Sequence, residues 1–282
     1  MSLLISSSTA AALKSSNSRV INTMFWMDPP KTLLAKSAWT LRNKIMQGEL
    51  KPGDRLVEQT LAATLSISRP SLREVLCILA AEGLLEQIPN VGYSVARLDV
   101  ATVEQIHEVW ALLTGEAVYE FTRKADKASL ARLRRLPSAM RSSASNRLKL
   151  LALLNVFFNA ISEGCGNRVL TDLVWSLVAR INFLRALCLN EAVANQWADD
   201  FDALLKMIAE GRASQARALV RKNIGHACDL AKIAVSITSN LPPAAPRRAA
   251  ERREQSNRID NLAKADVQKW RKSAPRIQRA AI

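Results

Sequence analysis

Residues 57–95 read VEQTLAATLSISRPSLREVLCILAAEGLLEQIPNVGYSV, and this stretch decides the fold. Val57 to Leu65 is a short run with helical period and no breaker. Ser68 then stands where a side-chain oxygen can cap a new helix, and Pro70 falls in that helix's first turn, where its missing N–H costs no hydrogen bond. Leu72, Val75, Leu76 and Leu79 recur at helical spacing as a buried stripe, while Ser71, Arg73 and Glu74 lie off it. Gly83 stops this helix. Two β-rich runs, LLEQI and YSVARL, then flank a Pro-Asn-Val-Gly turn, the pattern of a hairpin.

Toward the N-terminus, Leu34, Ala38, Leu41 and Ile45 recur at steps of 4, 3 and 4, one face of a preceding helix that the Gly and Pro of GELKPGDR close. Three short helices followed by a hairpin, over 33–98, describe a winged helix-turn-helix whose third helix is the one expected in a DNA major groove. Its chemistry fits that role. Arg69 and Arg73 are one turn apart at the helix N-terminus, where guanidinium groups can bridge a guanine edge or clamp a phosphate. Ser68 and Ser71 add hydroxyls, and the helix terminus adds free N–H groups. The plainer alternative is that these arginines only solvate an exposed face.

Beyond Asp99 the pattern is helical throughout. Val103, Ile106, Trp110, Leu113, Ala117 and Phe121 mark one amphipathic helix, and Leu130, Leu133 and Leu136 a second that ends at Pro137. RLKLLALLNVFFNAI, residues 147–161, is apolar nearly all round and reads as a buried helix in the middle of a bundle. Long helices are expected at about 167–189 and 213–239, with a shorter one from about Trp197 to Glu210. The predicted fold is therefore mainly α, an N-terminal winged helix-turn-helix (three helices plus a β-hairpin) followed by an all-α antiparallel helical bundle over 99–241. Residues 1–32, rich in Ser, Ala and Asn, read as a flexible arm. Residues 242–282, opening PPAAPRRAAERREQ, read as a basic disordered tail.

Composition narrows the function. Forty Lys+Arg against 25 Asp+Glu give the 282-residue chain a formal net charge of +15, which points to a polyanion such as nucleic acid or an anionic membrane surface. The proposed DNA-reading segment 33–98 holds only eight basic and six acidic residues, whereas 242–282 holds eleven and four. Sequence readout must then come from where Arg69 and Arg73 are placed, and the tail supplies non-specific attraction. No uncharged apolar window of 18 residues exists, so no membrane partner is expected, and a cytoplasmic location follows. The four cysteines lack CxxC spacing and read as buried reduced thiols. With two histidines in the chain, a poly-histidine metal centre is excluded, and no metal or other cofactor is expected. No Gly-rich phosphate loop, GxSxG or Cys with a base partner is present, so no catalytic residue is assigned and an enzyme is not expected.

The stretch I-x-x-G-x-L-x-P-G-x-x-L, here Ile45 to Leu56, together with SRPSLREVL, A-x-E-G-L and P-N-x-G, resembles the winged-helix domain of the GntR family of bacterial transcription regulators. The resemblance runs without a gap. It implies base reading by Arg69, Ser71 and Arg73, with Ser68 at the same helix start, Gln59 on the second helix, and the wing at Asn90 to Gly92. Gln59 stands where an arginine is frequent, and Val91 where the wing usually carries Arg or another polar residue. FFNAISEGCGN, FDALLKMIAEG and the helix order make the region from about Val103 to Val235 similar to the FadR-type branch, with an FCD-like bundle of six or seven helices. Many members of that branch hold a divalent metal on one Asp and three His. Aligned on Gly166-Asn167 and Gly211, those ligand positions fall on Leu154, Phe158, Phe201 and Asn223. Leu and Phe offer no lone pair, so no metal is expected there.

The same four residues define the candidate effector pocket, an apolar cavity with Asn223 as its polar handle. The alternative is that the phenylalanines simply fill the vacated space as core. Trp110 and Thr114 replace an Arg and a Glu common at the first bundle helix. His226, one turn beyond Asn223, is a weaker candidate for the same cavity, as a lone histidine is more often structural; Arg180 and Arg185 could supply an anion site, but arginines on a basic helix are more often solvated. The expected protein is a homodimeric transcription regulator, more commonly a repressor, that binds an inverted-repeat operator in double-stranded DNA and responds to a small-molecule effector. Two other readings stand beside it: a constitutive dimeric DNA binder with a degenerate bundle, and a non-specific architectural nucleic-acid binder driven by its tail.

Overall fold

The computed structural model describes residues 32–239; the basic tail, and the N-terminal arm except Thr32, lie outside the described residues. Helix α1 (Leu33–Gln47) begins at Thr32, whose side chain accepts from the Ala35 N–H, and ends at Gly48 in the left-handed region at φ 76°, where the cap N–H reaches the Ile45 and Lys44 carbonyls. It buries Ala38, Leu41, Ile45 and Met46. Strand β1 (Arg55–Leu56), helix α2 (Glu58–Leu65), helix α3 (Arg69–Ala81) and strands β2 (Leu85–Ile88) and β3 (Gly92–Val95) follow.

Ser68 caps α3 and Pro70 lies in its first turn, as the sequence requires. Leu72, Val75, Leu76 and Leu79 are wholly buried. The hairpin is joined by a third strand that periodicity does not reveal: β1 pairs antiparallel with β3, giving the order β1-β3-β2 with Arg55 opposite Ser94 and Leu85 opposite Val95. Two residues are too short a run to carry an alternating pattern.

Seven helices make up the bundle among the described residues: α4 (Val100–Lys124), α5 (Lys127–Leu133), α6 (Leu136–Arg141), α7 (Arg147–Gly164), α8 (Arg168–Cys188), α9 (Glu191–Ala209) and α10 (Ala213–Ser239). Asp99, Asp126, Asn146, Asn167 and Asn190 each accept a hydrogen bond from the N–H three residues on, so short acidic or amide side chains start five of them. Pro137 begins α6 rather than ending a helix, because a proline in the first turn loses nothing. Helix α9 starts at Glu191, earlier than the expected Trp197, capped by Asn190. Of the cysteines, Cys165, Cys188 and Cys228 are buried, but Cys77 is exposed on α3, against expectation. It lies off the stripe of Leu72, Val75, Leu76 and Leu79, beside the Tyr93 hydroxyl at 3.2 Å.

Helix α4 lies along α10, tied by Glu116 to Arg217 and Arg221 and by Glu104 to Lys232. Helix α1 also packs on α7 and α8, so it belongs to both halves. Arg147 donates to the Gln47 carbonyl at 3.2 Å, and the Arg180 side chain lies against Gly83. Within the winged helix, Arg42 grips Glu82 with two prongs, Nε to Oε2 at 3.0 Å and Nη2 to Oε1 at 2.6 Å, its own side chain only 4% exposed. Removing one member of a buried pair leaves the other charge uncompensated. Arg42→Ala is expected to cost about 3 kcal/mol of folding stability. Urea denaturation measures it, and an unchanged midpoint would refute the assignment.

Candidate functional site

The outer surface of the winged helix is built by the start of α3, the adjoining end of α2 and the turn between β2 and β3. Ser68 accepts the Ser71 N–H at 3.2 Å, and the two hydroxyls are 2.9 Å apart, so both serines are held at the helix terminus. Arg69 and Arg73 are exposed. Arg73 donates Nε to Glu58 Oε2 at 3.0 Å, with its side chain still 69% exposed. This contact fixes the arginine's stem while an exposed ion pair of this kind is worth under about 1 kcal/mol and exchanges readily. Gln59, next to Glu58, is exposed, and α2 buries only Ala62.

In the wing, Asn90 has φ 60° and Gly92 φ 106°, conformations that Asn tolerates and Gly adopts freely. The Val91 N–H closes the turn on the Ile88 carbonyl at 3.1 Å. Arg55 donates Nη2 to the Val91 carbonyl at 2.9 Å, so a cation from β1 braces the wing tip where Val91 itself offers none. Sequence reading missed Arg55 because β1 was invisible to it.

The four pocket candidates meet. Leu154 and Phe158 of α7, Phe201 of α9 and Asn223 of α10 line one cavity of about 40 Å³, inside a wider cleft of about 420 Å³ that opens to solvent. The inner space holds only a few water-sized groups. Aromatic packing explains the tightness: Phe157 stacks on Phe201 at 3.9 Å, and Trp110 and Phe201 meet Phe158 edge-on at 5.5 and 5.6 Å. Two phenylalanines, a leucine and one amide cannot hold a divalent cation, and no cluster of three His, Cys, Asp or Glu exists among the described residues. The residues do not fit a metal. His226 is half-buried and does not line this cavity.

The cavity is also lined by Arg185 of α8, a weaker candidate from the sequence, and by Trp197 and Asp200 of α9, which the sequence did not single out. Arg185, expected to be solvated, is buried instead, because every residue from Ile181 to Ala186 is buried and the helix has no outer face there. Its guanidinium lies 4.9 Å from the Phe158 ring and 5.6 Å from Trp110, and Nη1 donates to Asn182 Oδ1 at 3.3 Å. Asn182 in turn donates to Asn155 at 3.0 Å. Burial pushes Arg185 down to about 9, still a cation at neutral pH. Arg180, by contrast, is half-buried at the junction with Gly83.

Burial pushes the Asp200 carboxyl up to about 7, although the Gln196 amide, donating at 3.1 Å, works in the opposite direction. The unfolded chain releases this proton near pH 4 and the folded chain near pH 7. The folded state therefore binds the extra proton in between, and stability falls as pH rises through that window. Asp200→Asn is expected to remove this fall, matching the parent near pH 4 and exceeding it above pH 7 by a few kcal/mol at most, on the order set by the shift. Urea titrations of both proteins across this range check it, and parallel curves would contradict it.

Comparison with known proteins agrees with both halves. Residues 38–95 match the family described as bacterial regulatory proteins, gntR family, and residues 105–226 match the FCD domain; together they span well over half of the chain. The chain is 26% identical over 166 residues to an uncharacterized HTH-type transcriptional regulator, YdhC, of Bacillus subtilis, covering 58% of this chain and 74% of that one. It is 32% identical over 139 residues to the Nta operon transcriptional regulator of Aminobacter aminovorans, covering 48% and 65%. The solved structure of E. coli McbR/YncC superposes with a TM-score of 0.60 at 18% identity, over 75% of this chain and all of that one, which establishes the shared fold. Among the described residues no helix is long and apolar enough to cross a membrane. The chain belongs to the GntR family of bacterial transcription regulators, with a winged helix-turn-helix followed by an FCD domain.

Proposed function

We propose that the protein is a cytoplasmic homodimeric repressor that reads an inverted-repeat operator through α3 and adjusts its grip in response to a small molecule held in the bundle. The exposed, preset pair Arg69 and Arg73 at the capped start of α3 carries this reading. Two guanidinium groups one turn apart reach neighbouring base edges when the helix enters the major groove. Ser68 and Ser71 at the helix terminus, Gln59 on α2, and the wing at Asn90 and Gly92 serve the flanking phosphates. Segment 33–98 is then the DNA-binding unit and 99–241 the effector and dimerisation unit. Outward apolar pairs support self-association: Val109 and Leu112 on α4, and Val169 and Leu173 on α8, are 46% exposed or more. A two-fold dimer presents two copies of α3 to successive major grooves.

A second reading has its own observation. With only about 40 Å³ inside the aromatic cluster, the bundle could serve dimerisation alone, leaving a constitutive binder. Thermal-shift screening against small acids separates the two.

Selection of bound DNA from a random pool tests the main reading. Arg69→Ala and Arg73→Ala are each expected to weaken operator binding by roughly 1–3 kcal/mol and to relax preference at one base pair per half-site. If both variants kept the parent's preference, recognition through α3 would be wrong. Removing residues 242–282, with their eleven basic and four acidic side chains, is expected to flatten the dependence of affinity on salt while leaving the preferred sequence unchanged. Equal affinity for random and selected DNA in the full chain would instead favour a non-specific architectural binder.

A further inference from the structure

We propose that Arg55 is the cation that anchors the wing to DNA, taking a backbone phosphate at the wall of the groove that the wing tip enters. The inference rests on reading the winged helix as the DNA-facing surface, and adds to that surface a residue of β1 that precedes the wing tip by 36 positions. The wing tip itself is uncharged. Ile88, Pro89, Asn90, Val91 and Gly92 bring no ionised side chain, and Ile88 and Val91 are 38% and 40% exposed. Phosphate contacts need cations or aimed hydrogen-bond donors, which such a tip lacks on its own. The fold supplies a cation from the side. Strand β1 pairs with β3 so that Arg55 stands opposite Ser94, and its Nη2 donates to the Val91 carbonyl at 2.9 Å, which seats the guanidinium at the tip.

This charge is open to a partner. Among the described residues no acidic side chain pairs with Arg55, whereas Arg42, Lys44 and Arg73 of the same domain each hold a carboxylate. The acids nearest in sequence and register are engaged elsewhere. Asp54 accepts the Lys51 N–H at 2.8 Å, and Glu86, two strands across in the same row, accepts the Ser94 hydroxyl at 3.1 Å. In the order β1-β3-β2, β1 is an edge strand, and Arg55 is exposed, so its outer flank meets solvent rather than another strand. A carbonyl orients a guanidinium without neutralising it, and the remaining donors stay available to an oxyanion. The brace also restrains a long side chain in advance, which lessens the rotamer freedom lost on binding. Beside it the main chain is bare: a Cβ built on Gly92 meets nothing within 4 Å, leaving room for a sugar-phosphate backbone to approach. A group beside the tip rather than on it meets the wall of a groove, and that wall is phosphate. The contact therefore carries affinity and salt dependence, with no sequence information.

The experiment measures the affinity of the full chain for its selected operator and for random-sequence DNA of the same length, from about 50 to 200 mM salt. Arg55→Gln, which keeps a donor for the Val91 carbonyl but removes the charge, is expected to weaken binding by the same factor on both DNAs. It is also expected to lower the slope of log affinity against log salt by about 0.9 for each wing engaged, the value of one neutralised phosphate. Arg55→Lys keeps the charge and is expected to keep the parent's slope. Adding Val91→Arg to Arg55→Gln is expected to restore the slope by placing a cation on the tip directly. Melting curves report whether each variant folds; a merely structural brace would move the melting temperature and leave the slope alone. An unchanged slope in folded Arg55→Gln protein, a Gln-like slope in Arg55→Lys, or a changed sequence preference in Arg55→Gln would each overturn the assignment. An unchanged slope beside an intact sequence preference removes this contact only. Because the slope is read on random DNA as well, it decides the role of Arg55 even where the parent shows no preference, a result that would remove recognition through α3 instead.

Discussion

The corner formed by Glu82 and Gly83 is where the winged helix meets the bundle. Glu82 closes the recognition helix α3 and is clamped to α1 by both prongs of Arg42. The next residue, Gly83, has φ 75° and lies against the Arg180 side chain of α8, so a Cβ there would collide with that guanidinium. One dipeptide thus ends α3, anchors it to the helix shared with the bundle, and touches the bundle helix that carries Arg185. Glycine suits residue 83 because the backbone there is left-handed, and any Cβ would also have to displace the Arg180 side chain.

Much of this was legible in the sequence because it rests on local chemistry. Ser68 and Pro70 announce the start of α3, and the stripe from Leu72 to Leu79 announces its buried face. The α10 boundaries, Ala213 to Ser239, follow from a long uninterrupted helical pattern. The reading ran short where an element has no pattern of its own. Strand β1 is two residues long and exists only because β3 offers it partners. The first turns of α9 are set by the Asn190 cap rather than by an apolar stripe, and Pro137 opens a helix instead of closing one.

The cavity divides in the same way. Leu154, Phe158, Phe201 and Asn223 were found together by alignment to a family whose metal ligands they replace, and they do converge. Arg185 was undervalued because arginine on a helix is ordinarily a surface residue. The usable signal was the run INFLRALCL, in which a single cation stands among residues that are apolar but for Asn182, leaving the helix no solvent face to turn it toward. Composition was the weaker guide, since the charge excess is concentrated after residue 241 while the groups argued to matter are individual arginines with fixed neighbours.

The ion pair between Arg73 and Glu58 makes the protein its own competitor. If α3 reads DNA as proposed, the DNA takes Arg73 from a carboxylate already 3.0 Å away. A random sequence, offering one phosphate oxygen, exchanges one anion for another and gains little. A guanine edge offers two acceptors in the plane of the guanidinium, and the exchange becomes favourable. On the proposed reading Glu58 thus sets a small threshold, under about 1 kcal/mol, that a two-acceptor base edge clears more easily than a single phosphate oxygen does.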